Sequence, residues 1–333
     1  MKFLIVKLSS LGDVIHTLPI VHKIRKKYPD AQIDWLVGKK GFELLSVIKE
    51  LNNVYLLNAQ NMLSIQKQKY DFVIDAQGLF KSGLLSKASF GKKIIGFKNT
   101  REFADIFYDL KVDVGDLFKT NKHIVDLNLA LVSMLVQDLD SGIKFLIPKI
   151  NKPDSLQTKK NESLSKIAIF PATTWKSKLW PMNYWFELLN KISKDFQLYL
   201  CASNNDLGYI QQLIKMLDES KAPYENLVGK TNVKDLIYLI QNVDLVIGLD
   251  SAPLHLASAI NNDHGLPNVI GIYGPTSLKR SGPYNLIEDC LYLSDLECIA
   301  CRKKTCPLGH HKCMNDIVPE YIEEKIYTKL KLC

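Results

Sequence analysis

Apolar positions along the chain follow two periods in turn. Short apolar runs at residues 2–8, 32–37, 53–57, 72–75 and 93–97 are bounded by polar turns. Between them the apolar residues fall at helical spacing, as over 14–28 and, in a longer stretch, 123–135. Strand runs alternating with helical stretches predict a parallel sheet covered by helices on both faces. A polar stretch follows at 149–163, rich in Lys, Asn, Ser and Asp, and reads as a linker. The alternation then restarts, with strands expected at 166–170, 197–201, 226–228, 245–249 and 268–273. Helices are expected between them at 183–193, 207–217, 233–241 and 254–260. No repeat at solenoid spacing interrupts the pattern. The expected architecture is α/β, with two doubly wound domains at 1–150 and 164–315. They are joined by a linker at 151–163 and followed by a tail at 316–333. Ligands should sit at the carboxyl ends of the strands, in a cleft that the two domains face.

Composition narrows the classes. At 333 residues, 47% hydrophobic and 23% charged, the chain has the make-up of a globular protein with two cores. No apolar run reaches membrane-spanning length, and Lys7 breaks the first one. The start also lacks a signal-peptide core, so a cytoplasmic location is expected. The net charge of +8 is uneven: residues 1–150 hold 22 Lys/Arg against 15 Asp/Glu, the remainder 21 against 20. A basic half implies an acidic partner: nucleic acid, anionic lipid, or a carboxylated or phosphorylated substrate. A solvated lysine surface explains the charges singly but not their asymmetry. Nucleic acid ranks last, because no DNA- or RNA-binding module or basic–aromatic stripe is present.

Four stretches carry candidate chemistry. Residues 244–259 read as a buried strand, then Asp250-Ser251 at a turn, then a helix with Pro253 in its first turn. Free N–H groups and the positive dipole end suit a diphosphate there, with His255 one turn further on. An ordinary capped helix with a partly buried His is the competing reading. Residues 9–13 follow the first strand and contain one Gly, not the three of a dinucleotide fingerprint, which weakens a dehydrogenase reading. Asp13 is then a general base or a helix cap. Residues 170–181 bring Thr173, Thr174, Lys176 and Lys178 to a strand end, a phosphate cradle or a solvated basic loop, with its position favouring the cradle. Cys298, Cys301, Cys306 and Cys313, with His310 and His311 among them, suit a structural Zn²⁺, less well an iron–sulfur cluster, or stand as free thiols. This cysteine segment is expected to lie apart from the chemistry.

Together these residues resemble a family. The opening Ile5-Val-Lys-Leu-Ser-Ser-Leu-Gly-Asp-Val-Ile-His-Thr-Leu-Pro19 and the segment Asp75-Ala-Gln-Gly-Leu-Phe-Lys-Ser82 are similar to the ADP-heptose:lipopolysaccharide heptosyltransferases of glycosyltransferase family 9, type I above all. So are the loop from Thr173 to Pro181, Asp250-Ser251-Ala252 with His255, and Tyr273-Gly-Pro-Thr276. The resemblance implies a GT-B fold of two Rossmann-like domains, with the acceptor on the first domain and ADP-L-glycero-β-D-manno-heptose on the second. The end of the chain would return to pack on the first domain. It implies inverting, metal-independent transfer of heptose to a Kdo sugar of lipid A–Kdo. The enzyme would then sit peripherally on the inner leaflet of a Gram-negative inner membrane. Asp13 would be the base; Ser10, Gly12, Gln77, Lys81 and Arg101 would meet the acceptor. Thr173, Thr174, Lys178, Asp250, Ser251, Ala252 and His255 would hold the donor. No cofactor would be required for catalysis, zinc being structural if present, and no nucleic acid is expected. Three features depart from the type I pattern: Ala252 in place of a Gly, a segment at 57–71 with only Lys67 and Lys69, and the four cysteines. The first bears on donor fit; the others bring in a heptose acceptor, as in type II, as the alternative. A GT-B sugar-nucleotide epimerase, a less favoured alternative, would use the same cleft but no lipid acceptor.

Overall fold

The computed structural model describes residues 1–117, 120–137, 142–156 and 163–330, which form two compact units, 1–148 and 149–333. Unit 1 opens with β1 (Lys2–Val6), α1 (Leu11–Ile15), α2 (Leu18–Lys27), β2 (Gln32–Val37) and α3 (Lys39–Leu45). It continues with β3 (Asn53–Leu56), α4 (Ala59–Lys67), β4 (Phe72–Asp75), α5 (Phe80–Ala88), β5 (Lys93–Phe97), β6 (Leu110–Val112) and α6 (Ile124–Ala130). Its six strands are all parallel, in the order β3-β2-β1-β4-β5-β6. The strands read as near-continuous apolar runs because helices cover both faces.

Unit 2 repeats the plan with β7 (Lys166–Phe170), α7 (Met182–Ile192), β8 (Gln197–Leu200), α8 (Leu207–Ser220), β9 (Glu225–Asn226) and α9 (Val233–Gln241). Then come β10 (Leu245–Leu249), α10 (Ala252–His264), β11 (Asn268–Tyr273), α11 (Leu278–Ser281), β12 (Leu291–Tyr292), α12 (Lys312–Asn315) and α13 (Pro319–Leu330). Its parallel order, β12-β11-β10-β7-β8-β9, is that of unit 1 read from the other edge. In each sheet the order reverses beside the first strand, leaving a crevice between the loops that follow strands one and four.

Several expectations need correcting. The helix expected over 14–28 is two: α1 ends at Ile15, and α2 restarts with Pro19 in its first turn, where a missing N–H costs nothing. The stretch expected as helix to residue 135 is helical only to Ala130. Part of the supposed linker is docked on unit 2: Ile150 N–H donates to Gln241 at 3.0 Å, Ser155 Oγ to Asp235 at 2.5 Å, and Leu156 is buried. Residues 157–162 of that segment lie outside the described residues. The closing helix, α13, buries Ile322 and Ile326 in the core of unit 2 against α7. Lys191–Glu323 at 2.7 Å and Lys329–Asp289 at 2.8 Å fasten it there. No helix among the described residues is long and apolar enough to cross a membrane.

Candidate active site

In unit 1 the crevice is formed by the loop after β1 and the loop after β4. Asp13 stands at the third position of α1, where its Oδ2 accepts from Ser10 N–H at 2.9 Å and from Ser10 Oγ at 2.8 Å. Asp13 therefore does cap its helix, and its carboxylate is half-buried and fixed in direction. Gly12 is buried beneath it. Gln77 Oε1 accepts from both Leu8 N–H at 3.0 Å and Ser9 N–H at 3.1 Å, stitching one loop to the other. Lys7, which is buried, adds a second stitch by donating to Ala76 O at 2.7 Å.

Asp75, at the end of β4, organises the second loop. Its Oδ1 accepts from Gln77 and Gly78 N–H at 2.9 and 3.1 Å; its Oδ2 accepts from Ser82 and Tyr108 hydroxyls at 2.8 and 2.7 Å. Burial pushes this carboxyl above its ordinary value, and the hydrogen bonds from Tyr108, Gly78, Ser82 and Gln77 offset only part of that. Gly78 has φ +68°, which the tight return to α5 requires. Ser10, Gly12, Asp13 and Gln77 are thus brought together. Lys81, in the first turn of α5, and Arg101, after β5, are exposed at the same end of the sheet. Lys7 and Tyr108 were given no site role from the sequence, and Asp75 entered only as the first residue of the segment Asp75–Ser82, although an Asp closing an apolar strand was a visible signal.

The matching crevice of unit 2 is built on charge. Lys178 Nζ lies 2.7 Å from Asp250 Oδ2 and 4.7 Å from the centre of the Trp175 ring. Thr276 Oγ1 donates to the same carboxylate at 2.6 Å, and His255 Nε2 is 3.3 Å from its other oxygen. Thr173 Oγ1 donates to Asp250 O at 3.2 Å. Burial by itself would raise the Asp250 carboxyl, but the His255 hydrogen bond and the Lys178 charge outweigh it and hold it well below the usual carboxylate range. A buried carboxylate would repel a phosphate. Asp250 is accordingly the post to which Lys178, His255 and Thr276 are tied, and Lys178 is the group that an anion would meet. Ala252 opens α10, and the Ser251 hydroxyl at its N-cap is buried without a hydrogen-bond partner. A helix N-terminus, an ammonium and an unsatisfied hydroxyl together would suit an anion. Thr174 and Lys176 are exposed on the loop. Trp175 and Thr276 complete the arrangement, Trp175 unforeseen and Thr276 visible only as part of Tyr273-Gly-Pro-Thr276.

The cysteine segment is not apart from this crevice. Ser177 N–H donates to Lys304 O at 3.1 Å and Ser177 Oγ to Lys303 O at 2.5 Å; His311 Nε2 lies 2.6 Å from Ser177 O. Arg302 N–H donates to Pro275 O at 2.7 Å. A Cβ on Gly274 would stand 2.5 Å from Met314 Sδ and 3.0 Å from Cys313 Sγ, so α12 packs directly against this glycine. The segment therefore buttresses the loop that carries Lys178. Within it, N–H groups of His311 foremost, then Leu308, Gly309 and His310, lower the Cys306 thiol. Burial first, and then neighbouring Cys301, Cys298 and Cys306, push Cys313 up to about 11. Cys298 Sγ is 4.0 Å from His310 Nε2. The donor set suits zinc in kind, yet among the described residues no three His, Cys, Asp or Glu stand close enough together to hold an ion.

A sequence model of glycosyltransferase family 9 (heptosyltransferase) matches residues 61–312. The lipopolysaccharide core heptosyltransferase OpsX of Haemophilus influenzae is 28% identical over 303 residues, 86% of this chain and 82% of its own. The lipooligosaccharide heptosyltransferase 2 of Campylobacter jejuni is 27% identical over 99% of both chains. Among solved structures, the E. coli heptosyltransferase WaaC with ADP superposes with a TM-score of 0.75 at 23% identity, covering 98% of this chain and 100% of that one. That likeness concerns the fold, which is GT-B.

Proposed function

The chain belongs to glycosyltransferase family 9, the heptosyltransferases, and from that premise we propose that it transfers L-glycero-D-manno-heptose from ADP-heptose to a Kdo residue of lipid A–Kdo. That step builds the lipopolysaccharide inner core. The observation that carries the reading is the Lys178–Asp250 pair, set at the N-terminus of α10 beside the unpartnered Ser251 hydroxyl. Such a site suits a diphosphate.

In the proposed reaction the acceptor hydroxyl gives its proton to Asp13 as its oxygen attacks the anomeric carbon. The bond from that carbon to the diphosphate breaks, ADP leaves with the electron pair, and the configuration inverts. Charge grows on the leaving diphosphate, where Lys178, the Ser251 hydroxyl and the α10 N–H groups offset it. Asp250, Thr276 and His255 hold Lys178 and the loop in place. On the acceptor side Ser10, Gly12 and Gln77 shape the turn, and Lys81 and Arg101 meet acidic groups of the glycolipid. The expected location is the cytoplasmic face of the inner membrane, held peripherally. A heptose acceptor is the second reading, favoured by the full-length match to a type 2 enzyme and by the Arg-free segment at 57–71.

Incubation with ADP-heptose and either lipid A–Kdo or its heptosylated product, followed by mass spectrometry, decides between them. One added heptose on lipid A–Kdo supports the first reading. Addition only to the heptosylated lipid supports the second, and no addition to either overturns both.

A further inference from the structure

At the carboxyl end of the first sheet, α5 and the turn at Ala104–Phe107 present apolar side chains that unit 1 leaves uncovered. Leu79, Phe80 and Leu84 are 36%, 46% and 50% exposed, and Phe103 and Ile106 are 73% and 65% exposed. They belong to one surface because the two elements pack together. The Phe80 ring meets Phe107 edge-on at 5.3 Å, and Phe80 N–H donates to Glu102 at 3.1 Å. A Cβ on Gly83 would stand 3.3 Å from that of Ala104. A contiguous apolar patch is a different thing from apolar residues scattered singly, and marks an interaction site. Phe103 also has a left-handed backbone, φ +55°, which is uncommon for a bulky residue and clusters at functional positions.

Charge selects the occupant. Lys81 and Lys87 lie exposed on α5, which carries no acid, and Arg101 precedes Phe103 by two residues. The neighbouring acids are engaged: Asp105 faces Lys111 at 3.7 Å, and Glu102 takes the Phe80 N–H. An apolar centre with a basic rim fits the headgroup–acyl boundary of an anionic bilayer, which takes the rings and attracts the cations. A second copy of the chain would set one basic rim against another.

We propose that Leu79, Phe80, Leu84, Phe103 and Ile106, rimmed by Lys81, Lys87 and Arg101, seat unit 1 on the surface of an anionic lipid bilayer. The proposal deepens the transferase reading and rests on it in one respect: an acceptor lipid in that bilayer would then be delivered to the strand ends of the same sheet.

The test is flotation of the full chain with vesicles of phosphatidylethanolamine and phosphatidylglycerol, against vesicles of phosphatidylcholine alone. Wild type should float with the anionic vesicles, and less so as salt rises. The double variant Phe103→Ser, Ile106→Ser should bind ~10-fold more weakly, since both side chains lose their apolar burial in lipid. Its thermal unfolding should match wild type, because exposed side chains contribute little to folding. Transfer to acceptor in those vesicles should fall with binding, and transfer to a deacylated, water-soluble acceptor should not change. Wild type that fails to float, or a variant that floats equally well, overturns the proposal. So does a wild-type dimer that the variant lacks, which would make the patch a self-interface, and so does an equal loss on the deacylated acceptor. If flotation behaves as expected but no acceptor is ever glycosylated, the transferase reading falls and the bilayer surface stands.

Discussion

In both units the loop after the first strand meets the loop after the fourth, but the joints differ in kind. In unit 1 the stitches run mostly to peptide groups: Gln77 to Leu8 and Ser9, and the Lys7 ammonium to a carbonyl. In unit 2 the joint is an ion pair, partly exposed Lys178 to buried Asp250, with Thr276 and His255 on the same carboxylate. One topology thus carries two kinds of site. The charged joint ties its ammonium to a fixed carboxylate, which suits a partner of constant chemistry such as a diphosphate. The other joint leaves its positive charges on long, exposed side chains at the rim, which suits a larger and less uniform partner.

The largest expected effect separates the two joints. Asp13→Asn keeps an oxygen to accept the Ser10 N–H, so the cap and the fold should persist. Turnover should nevertheless fall ~10²–10⁴-fold, as loss of a general base does, while donor affinity stays within a few-fold. Turnover close to wild type would leave Asp13 with its capping role alone. Next in size, Lys178→Ala should weaken ADP-heptose binding by roughly 10–100-fold, the scale of a lost charge-assisted hydrogen bond. Exposed Lys176→Ala should do much less. The reverse ranking by calorimetry would mean that the anion meets a different face of the loop.

The same comparison has a pH signature. The Asp250 carboxyl is held below its unfolded value, so its stabilisation is present above that value and lost as pH falls through the folded one. Asp75 runs the other way: burial raises it, so its contribution is complete below the unfolded value and lost as pH rises through the folded one. The stability difference between wild type and Asp250→Asn, by urea unfolding, should therefore hold from about pH 8 to about pH 5. The difference for Asp75→Asn should shrink as pH rises over the acid range. Equal trends for both would mean that the two carboxylates share one environment.

Much of this was legible in local pattern. The runs at 166–170, 245–249 and 268–273 are strands at those bounds, because a strand buried on both faces must be apolar throughout. Edge strands β6 and β12, three and two residues long, were not legible, since so short a segment carries no period. The Pro19 restart was missed although its signal was present. In the site, Asp13, Gln77, Lys178 and Asp250 were legible as types in turns, but their pairings were not. Thr276 and Asp250 are 26 residues apart, and Ser177 and Lys303 are 126 apart. Contacts of that range are made by the sheet, not by neighbouring sequence, and so the cysteine segment was expected in the wrong place.

The smallest effect tests that last contact. If the segment from Cys298 to Cys313 buttresses the Lys178 loop, loosening it should reach the donor and leave the acceptor untouched. Ser177→Ala removes one hydrogen bond to Lys303 O and should raise the donor KM by ~2–5-fold, the scale of a single neutral bond. Acceptor KM should not move; an equal change in both would locate the effect in global stability. Zinc is the remaining part of the proposal for this segment. The backbone N–H groups round Cys306 favour a thiolate, and an ion would draw the four sulfurs together. If the segment takes up zinc, chelation should lower Tm and raise the donor KM together. Little zinc or iron, with four titratable thiols, would show that the peptide contacts to Ser177 and Pro275 hold the buttress without a metal.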